Sequence, residues 1–429
     1  MSGHVLNRAD QDLPGARYDT VIIGGGVLGL AAAYYLRKFA PEKSVLVVEQ
    51  GGIPSEEGET HFSPALHHHF FPDEHDRRRA RWWSRVLADF ERESGVTIAL
   101  KHVFSPVGYV TTDAAAIASV ASGQSAGRGA TGVEFRDTIA GRFFAFADTA
   151  PLAIDPAGGC GHAEAVALHY GYGAVLRGAD LCLNARAAFD RTGDVRLDRL
   201  TINNRMQIVV EHQSRVRAGV IIVASGAATG PLIEHQLGEL TPFRRYYAQF
   251  PRIDHATDFP LHQDGSLDCP VVSSGDFTIR PHLDGALVIP SPLPPDPEGY
   301  LPGGGRLMGV NVGLRKELIT RFVDRMELIP ALSLPTLNLG RTSANLRGAW
   351  EALTPSGRPE FTQIADLDVY ALVGGPNGFS LGAATALELA AQITGHPHLP
   401  WDESAPETAT TRASCDFASG HSSAGNEVP

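Results

Sequence analysis

The chain has 429 residues, of which 43% are hydrophobic, and carries a formal net charge of −12. A chain of this length exceeds what a single hydrophobic core usually organises, so the sequence predicts two domains. The negative charge would repel nucleic acid and anionic membranes, which argues against general binders of either and favours a small-molecule partner.

Cysteine usage and the N-terminal sequence bear on where the protein works. Cys160, Cys182, Cys269 and Cys415 include no C-x-x-C pair, which fits a reducing compartment and neither a disulfide framework nor a zinc site. The N-terminus has no apolar signal segment, and the longest apolar runs are too short to span a membrane. We therefore expect a cytoplasmic protein with no membrane partner and no metal.

Both ends of the chain are polar, so we expect residues 1–17 to be flexible and residues 401–429 to form a disordered tail. Between them, Tyr18–Ile23 and Val45–Glu49 have the apolar, β-branched composition of buried strands. The segment Val27–Phe39 between these strands has helical periodicity. This order predicts one βαβ unit at the start of a parallel sheet.

A glycine turn, G-x-G-x-x-G, lies directly between the first strand and this helix. Gly24 permits a tight turn, Gly26 lets the backbone approach a pyrophosphate, and Gly29 lets the helix pack closely on the sheet. Glu49, at the end of the second strand, is placed to accept hydrogen bonds from an adenosine ribose. The unit predicts a dinucleotide site without distinguishing FAD from NAD. Its predicted contacts are Gly24, Gly26, Val27, Leu28, Gly29, Glu49 and Gln50.

A run of three histidines precedes a long predicted helix. Consecutive residues point in different directions, so His67, His68 and His69 are poorly placed to hold one metal ion. One of them remains a candidate active-site base, and the sequence does not say which. The helix is predicted from about Pro72 to Glu93, with a solvated, arginine-rich first half.

Three later segments end in turns of small residues. Residues 220–227 (VIIVASGA) form an apolar strand and its turn. Residues 353–359 (LTPSGRP), called the T-P segment below, are rich in Pro and Gly. Residues 374–381 (GGPNGFSL) form a glycine turn before an alanine-rich segment, predicted as a helix over 383–393. With the first glycine turn, and in this order, they resemble the D-amino-acid-oxidase-like superfamily of FAD-dependent oxidoreductases, which includes sarcosine and glycine oxidases. Ser356 stands where that superfamily usually has Asp.

The resemblance spans most of residues 18–395 and implies an α/β fold. The expected architecture is a Rossmann-like FAD-binding domain of the GR2 type, with a second, mainly antiparallel β-sheet domain for the substrate. Residues 18–95, 150–236 and 335–400 are assigned to a discontinuous FAD-binding domain. Residues 96–149 and 237–334 are assigned to the substrate domain. FAD is the implied cofactor.

The resemblance also implies how FAD is held. In the superfamily the late glycine turn faces the flavin, where a helix N-terminus stabilises the negative charge of reduced flavin. Residues 57–63 (EGETHFS) are similar to a flavin-contacting loop. Sarcosine oxidases carry a flavin-linked cysteine near the position of Ala349, so we expect noncovalent FAD, with a linkage through His61 left open. The implied contacts are Thr60, His61, Ser225, Gly226, Gly375, Asn377, Gly378, Phe379, Ser380 and Leu381.

The substrate site is less clearly marked. Many amino-acid-oxidising relatives hold the substrate carboxylate with an arginine three residues before the Thr of the T-P segment, where this chain has Glu351. We hypothesise that the substrate is an amine or another cationic compound, or binds in a different orientation; a surface salt bridge is the alternative role of Glu351. Arg280 is a candidate carboxylate partner or flavin-facing cation, or else a solvated strand-end arginine. The candidate catalytic residues are Glu351, Arg280 and His61.

The predicted reaction is oxidation of a C–N bond of a small amine or amino acid by hydride transfer to flavin N5. No residue decides how the flavin is reoxidised, so oxidase and dehydrogenase remain alternatives. Two other functions also stay open. One is FAD-dependent oxidation of a 2-hydroxy acid or alcohol on the same scaffold, and the other is a flavin-binding accessory subunit without turnover.

Overall fold

The computed structural model describes residues 2–55, 58–63, 65–94, 107–110, 134–136, 152–155, 158–250, 252–253, 271–273, 277–282, 285–290, 320 and 347–402. The helices are α1 (Val27–Phe39), α2 (Glu59–Phe62), α3 (Glu74–Ser94), α4 (Ala163–Leu176), α5 (Thr229–Leu237) and α6 (Gly378–Thr394), with a 3-10 turn η1 at Gly226–Ala228. The strands are β1 (Val5–Leu6), β2 (Arg17–Ile23), β3 (Val45–Val48), β4 (Leu66–His67), β5 (Val107–Val110), β6 (Glu134–Arg136), β7 (Leu152–Asp155), β8 (Gly159–Cys160), β9 (Asp180–Cys182), β10 (Ala185–Phe189), β11 (Asp194–Ile202), β12 (Ile208–Val223), β13 (Arg244–Phe250), β14 (Arg252–Ile253), β15 (Val271–Ser273), β16 (Phe277–His282), β17 (Gly285–Pro290), β18 (Arg347–Leu353), β19 (Glu360–Gln363) and β20 (Val369–Val373). No helix in these described ranges is both long enough and apolar enough to cross a bilayer.

The larger sheet contains the parallel core that the sequence predicts. Strands β1, β9, β3, β2 and β12 lie side by side and pair in parallel, and β20 pairs in parallel with the end of β12. The N-terminal part of β12, a strand of 16 residues, also pairs with β11 in an antiparallel meander of β10, β11 and β12. One strand thus belongs to both parts of the sheet. This arrangement confirms the predicted Rossmann-like α/β fold.

Both faces of the central strands are buried, which explains their continuous apolar sequence. On β2, Ile22 packs in a core with helices α1, α3, α4 and α6, whereas Val21 and Ile23 pack in a second core with α5 and the meander. Each aliphatic side chain of this size contributes about 1.5–3 kcal/mol when it is fully removed from water. The two cores therefore fix the ends of β2 and β3, where the first glycine turn lies.

A second sheet orders its strands β14, β17, β16, β15, β5, β7 and β6. All neighbours are antiparallel except β15 and β5, which confirms the predicted second, mainly antiparallel sheet. The domain boundaries themselves stay predictions. In the sheet topology, β7 pairs with β5 and β6, whereas the predicted boundary assigns its residues to the first domain. A ribbon of β13 and β18 also joins segments that the prediction placed in different domains.

The N-terminus packs against the larger sheet, which corrects the expectation of flexibility. β1 pairs with β9, with Val5 opposite Leu181. Arg199 is 1% exposed and donates hydrogen bonds to the backbone oxygens of Leu6, Arg8 and Gln11. A buried guanidinium needs such acceptors, so it holds the N-terminal segment in place.

Helix α3 begins close to its predicted position. Two arginines in its first half are buried, whereas the sequence predicted that they are solvated. Arg77 and Arg79 are 4% and 5% exposed. Arg79 forms ion pairs with Asp76 at 3.1 Å and with Glu388 of α6 at 3.2 Å. Buried charges are tolerated where they are paired, and these pairs fasten the N-terminal half of α3 to α6.

Candidate active site

The first glycine turn has the conformation that its sequence predicts. Gly24 has φ +118°, and a Cβ there would lie 2.3 Å from the carbonyl oxygen of Ala224. A Cβ on Gly29 would lie 2.0 Å from the carbonyl oxygen of Gly24. At Gly26 a Cβ would point at the hydroxyl of Thr60, 3.1 Å away. The turn therefore requires glycine for its backbone and leaves the N-terminus of α1 without side chains.

Glu49 follows β3 and lies against this turn. Its Oε2 accepts a hydrogen bond from the backbone N–H of Gly25 at 2.7 Å, and its Oε1 accepts one from Gly51 at 2.8 Å. The carboxylate is thus held beside the N-terminus of α1, as the predicted ribose contact requires. Gln50, the next predicted contact, is exposed.

Helix α2 places Thr60 and His61 in different surroundings. The Thr60 hydroxyl accepts a hydrogen bond from the backbone N–H of Val27, the first residue of α1, at 3.2 Å. The His61 ring instead contacts the carboxylate of Glu164 on α4, and it is exposed. Thr60 is therefore part of the glycine turn, whereas His61 forms a contact between two helices.

The late glycine turn packs against the T-P segment. Gly375 has φ +61°, and a Cβ there would lie 3.3 Å from the hydroxyl of Thr354. That hydroxyl donates to the carbonyl oxygen of Arg358 at 2.6 Å. The Asn377 amide donates to the carbonyl oxygen of Gly357 at 3.2 Å. Two motifs recognised separately in the sequence thus form one unit.

Leu28 joins this unit to the first glycine turn. A Cβ on Gly374 would lie 3.2 Å from Leu28 Cδ1, and one on Gly382 would lie 2.6 Å from Leu28 Cδ2. The N-termini of α1 and α6 are therefore in contact. Together with Thr60 and Glu49 they form a glycine-lined surface.

The first turn of α6 contains four predicted cofactor contacts with distinct roles. Gly378 is its first residue, and a Cβ there would meet no atom within 4 Å among the described residues. Phe379 and Leu381 are buried in hydrophobic clusters. The Ser380 hydroxyl donates to the carbonyl oxygen of Leu66 at 3.1 Å. The side chains of these three larger residues thus pack into the protein, so the surface that they offer a ligand is backbone.

The turn after β12 brings a further residue into the site, which the sequence analysis had not singled out. The Ser225 hydroxyl donates to the carbonyl oxygen of Ile23 at 2.9 Å. Gly226 has φ +54°, and a Cβ there would lie 3.1 Å from Glu59 Oε1. Gly226 therefore borders on the carboxyl group of Glu59, whereas Ser225 holds the turn against the end of β2.

Glu59 and Glu351 are neighbouring, half-buried carboxyl groups. Glu59 Oε1 accepts a hydrogen bond from the backbone N–H of Ala352 at 2.8 Å. Glu351 precedes Ala352 on β18 and lies opposite Tyr246 of β13. Burial and the neighbouring Glu351 raise the pKa of Glu59 to about 8, and burial raises the pKa of Glu351 to about 7. Both side chains still keep a partly exposed surface.

The histidine run separates into two roles. His67 and His69 are buried, and the Nε2 atoms of both lie beside the Ser84 hydroxyl, at 2.6 and 3.0 Å. His69 Nδ1 lies 2.8 Å from Asp155 Oδ2. Within the part of the chain that the structure describes, no three His, Cys, Asp or Glu side chains are placed to hold a metal ion. These two histidines thus join β4, α3 and β7.

His68 instead faces the late glycine turn. Its backbone N–H donates to Ser380 Oγ at 3.3 Å, and its Nδ1 accepts from the backbone N–H of Phe70 at 3.2 Å. The ring stacks on Phe71, with centroids 4.6 Å apart. Burial lowers the pKa of His68 to about 4, so the ring is neutral at neutral pH. Among the three histidines, His68 is the one at the site.

The T-P segment is also fastened to α3. Ser356, which replaces the usual Asp, accepts a hydrogen bond from the backbone N–H of Arg358 at 3.1 Å and contacts Glu360. Arg358 Nη1 lies 2.7 Å from Asp76 and 3.2 Å from Asp73. The departure from the family pattern is therefore accommodated within the loop, and the loop is anchored by ion pairs.

Arg280 lies on β16 in the second sheet, opposite Leu287. The contacts of its side chain fall outside the described residues, so its predicted role stays a prediction. Ala349, near the position of the flavin-linked cysteine in sarcosine oxidases, lies on β18 and is 6% exposed.

The chain matches one family model and shares its fold with solved enzymes. The model named DAO, FAD dependent oxidoreductase, matches residues 19–392. Glycine oxidase from Geobacillus kaustophilus aligns with a TM-score of 0.63 and 16% identity, over 90% of this chain and 97% of that one. L-proline dehydrogenase from P. horikoshii aligns with a TM-score of 0.62 and 20% identity, over 91% and 96%. Iminodiacetate oxidase from Chelativorans sp. BNC1 aligns with a TM-score of 0.60 and 18% identity, over 89% of this chain and 97% of that one.

No curated protein sequence matches the chain at a significant level. At these identities the structural likeness shows a shared fold and leaves the substrate open.

Proposed function

Because the chain belongs to the DAO family of FAD-dependent oxidoreductases, we propose that it oxidises a carbon–nitrogen bond of a small cationic amine. FAD supplies the capacity to accept two electrons as a hydride, while the protein supplies binding, orientation and electrostatics. The substrate class, an amine, is inferred from residues of this chain.

The residues present fit FAD along the surface described above. The bare N-terminus of α1, between Gly24 and Gly29, suits a pyrophosphate, because backbone N–H groups and the helix dipole favour an anion there. Glu49 suits the hydroxyl groups of the adenosine ribose. The late turn at residues 374–378 is then left for the flavin ring.

The observation that carries the amine proposal is the carboxyl pair of Glu59 and Glu351. Two neighbouring, half-buried carboxyl groups disfavour a further anion beside them, and each gains a partner if a cation binds. The pair borders the Gly226 turn and the ribbon strand β18. Resemblance to the amino-acid-oxidising relatives implies an arginine at the Glu351 position, where it would meet the substrate carboxylate. The reversed charge at that position favours a substrate with an ammonium group.

Glu351 also has suitable acidity for moving a proton. A pKa of about 7 makes its carboxylate a base that is poised near neutral pH. In the proposed role it attracts the substrate ammonium and accepts one proton from its nitrogen, which leaves a neutral amine and a Glu351 carboxylic acid. The neutral amine has the lone pair that loss of a hydride from the adjacent carbon requires.

The test is anaerobic bleaching of the visible flavin band by three matched compounds: a primary amine, the amino acid that adds a carboxylate to it, and the corresponding 2-hydroxy acid. We expect the amine to reduce the flavin fastest. Glu351→Gln should lower the second-order rate constant for the amine by at least about tenfold, because a charged hydrogen bond of about 1.5–3 kcal/mol is lost. Glu211→Gln, an exposed glutamate on β12, is the matched control.

The competing functions give different results in the same assay. Preferential reduction by the 2-hydroxy acid would replace the amine proposal with alcohol oxidation. Bound flavin that none of the three compounds reduces would favour the accessory subunit.

A further inference from the structure

Three of the four tryptophans of the chain lie in a row. Trp83 and Trp82 are neighbours on α3, and their ring centroids are 6.3 Å apart. Trp82 contacts Trp401, which follows α6 in the chain, with centroids 5.1 Å apart. Aromatic rings that pack together have centroids about 4.5–7 Å apart. The indoles of Trp83, Trp82 and Trp401 therefore form an unbroken row of contacts, the tryptophan row.

One end of the tryptophan row adjoins the surface proposed for the flavin. Trp83 is 1% exposed, and its ring meets Phe379 edge-to-face with centroids 6.2 Å apart. Phe379 is the second residue of α6 and directly follows the late glycine turn. A single aromatic side chain thus separates Trp83 from the backbone that is offered to the flavin.

The other end of the row approaches the protein surface. Trp401 is 6% exposed, and its ring lies edge-to-face with the ring of His75, with centroids 6.5 Å apart. The side chain of His75 is 54% exposed. The row therefore runs from the proposed flavin position to an exposed part of α3.

A second route, through two tyrosines, joins the same row. The ring of Tyr170 stacks on Trp83, with centroids 6.1 Å apart and an angle of 9° between the ring planes. The Tyr170 hydroxyl lies 2.9 Å from the hydroxyl of Tyr35. The ring of Tyr35 lies 6.1 Å from that of Trp82. Both routes meet at Trp82, the ring that contacts Trp401.

The indole N–H groups at the two ends of the row point to a role beyond packing. Among the residues that the structure describes, the buried Nε1 atoms of Trp83 and Trp401 have no hydrogen-bond partner. A buried N–H group without an acceptor costs free energy, so packing alone favours an apolar ring at both positions. A redox role is one explanation of such a group. An indole that loses an electron where no proton acceptor is near keeps its proton, so it can regain an electron from the next ring directly.

We propose that the tryptophan row carries single electrons from the protein surface to an oxidant at the flavin site. The oxidant is FAD excited by visible light, since flavins take part in one-electron chemistry. Trp83 gives one electron to this oxidant, Trp82 gives one to the Trp83 cation radical, and Trp401 gives one to the Trp82 cation radical. A one-electron donor in solution, such as ascorbate, restores Trp401 and releases its own proton to water.

The net result is the transfer of one electron from the donor to the oxidant. Each indole loses and regains one electron, and no bond of the protein is formed or broken. The oxidising charge thus leaves the flavin site instead of damaging the residues around it. This inference rests on the proposed placement of the flavin at the late glycine turn, and it does not depend on the amine substrate.

The experiment measures light-driven reduction of bound FAD in the full-length protein, without any amine. The protein is loaded with FAD, made anaerobic and given ascorbate, and the visible flavin band is followed under blue light. Transient absorption after a laser flash detects the indole radical directly. Trp83→Phe, Trp82→Phe and Trp401→Phe each replace an indole by a ring that is not readily oxidised. FAD titration and thermal unfolding identify any variant that binds the cofactor poorly or folds poorly.

We expect a different loss in each variant. Trp83→Phe should remove the early radical signal, because the first electron donor is missing. Trp82→Phe should keep this signal but make it decay faster, since the charge stays on Trp83 and the electron returns from the flavin. Trp401→Phe should leave a radical on Trp82 that ascorbate reduces slowly. All three variants should bleach the flavin band more slowly than the parent protein does.

Phe90→Leu is the matched control. Phe90 is 1% exposed and meets Trp83 edge-to-face with centroids 6.2 Å apart. Its replacement disturbs the packing of the row without removing an indole or a phenol. This variant should match the parent protein in radical yield and in the rate of bleaching.

Three results would overturn the proposal. One is a parent protein that binds FAD but forms no indole radical after the flash. Another is equal bleaching in the parent protein and in Trp82→Phe, which would show that electrons reach the flavin by a different path. The third is a loss in Phe90→Leu as large as the loss in Trp82→Phe, which would assign the effect to packing.

Discussion

Arg358 of the T-P segment and Asp76 of α3 form an ion pair of 2.7 Å. The Asp76 side chain is 1% exposed and also pairs with Arg79 at 3.1 Å. Asp73 lies 3.2 Å from the same guanidinium nitrogen, but its side chain is 44% exposed. One arginine therefore contacts a buried and an exposed carboxylate.

These two carboxylates give a paired test of burial. Asp76→Asn should lower the free energy of unfolding by about 1.5–3 kcal/mol, because it removes one of the two charge partners of the buried Arg79 and the nearer partner of Arg358. Asp73→Asn should cost less than about 1 kcal/mol, since an exposed pair is screened by water. Urea unfolding of the two variants measures both values. Equal losses would show that the contact to Asp76 is no stronger than a surface pair.

Gly29 provides a test of the first glycine turn. In Gly29→Ala the new methyl group would start 2.0 Å from the carbonyl oxygen of Gly24, so the turn must open. We expect a loss of about 2 kcal/mol in stability and weaker FAD binding, because α1 moves away from β2. FAD titration and thermal unfolding measure the two effects. Gly52→Ala is the control, since no described atom lies within 4 Å of its Cβ position; a similar loss there would remove the steric explanation.

The carboxyl pair predicts how the stability of the apoprotein depends on pH. Glu59 and Glu351 have folded-state pKa values of about 8 and about 7, against an unfolded value of 4.5. The two carboxyl groups bind more protons in the folded state between pH 4.5 and 8, whereas His68 and His169, whose pKa values burial lowers to about 4, bind fewer protons in the folded state below about pH 6.5. Stability should therefore fall as the pH rises from about 6.5 to 8, where the carboxyl groups act without this opposition. Glu59→Gln should flatten the fall measured by thermal unfolding. If the stability of the parent protein does not fall more steeply with rising pH than the stability of the Glu59→Gln variant, the raised pKa values are contradicted.

Substrate charge should follow the charge at position 351. Glu351→Arg should reduce the rate constant for a cationic amine by at least about a hundredfold, because attraction of roughly 1.5–3 kcal/mol is replaced by repulsion. The same variant should gain activity towards a compound with a carboxylate, since guanidinium binds carboxylate through two hydrogen bonds. Rapid-mixing measurements of flavin reduction provide both constants. Glu211→Arg controls for net charge, and parallel changes in the two variants would assign the effect to long-range electrostatics.

Local patterns in the sequence were sufficient to predict the framework of the dinucleotide site. The segment from Tyr18 to Glu49 contains two strands with mostly buried residues and, between them, a largely buried helix. Each of these elements is specified by its own residues. Such local patterns were not sufficient to predict where helix α6 begins. It was predicted from residue 383 but begins at Gly378. Gly382 lowers helix propensity locally, and its contact with Leu28 supplies the stabilisation that a local pattern does not contain.

The parts that were missed depend on residues distant in sequence. Glu59 is polar and begins the four-residue helix α2, and its hydrogen-bond partner Ala352 is 293 positions away. The buried Arg79 of α3 was expected in solvent, because its partner Glu388 belongs to the last helix. In each case the deciding contact is tertiary.

The contact of Leu28, in the first glycine turn, with Gly374 and Gly382 affects the order of events during synthesis. The first turn is translated early, but Gly374 and Gly382 follow only near the end of the chain. A nascent chain therefore has half of the glycine-lined surface until the last helix leaves the ribosome. Cofactor capture then becomes one of the final steps of maturation, because the first turn alone supplies only part of the cofactor surface.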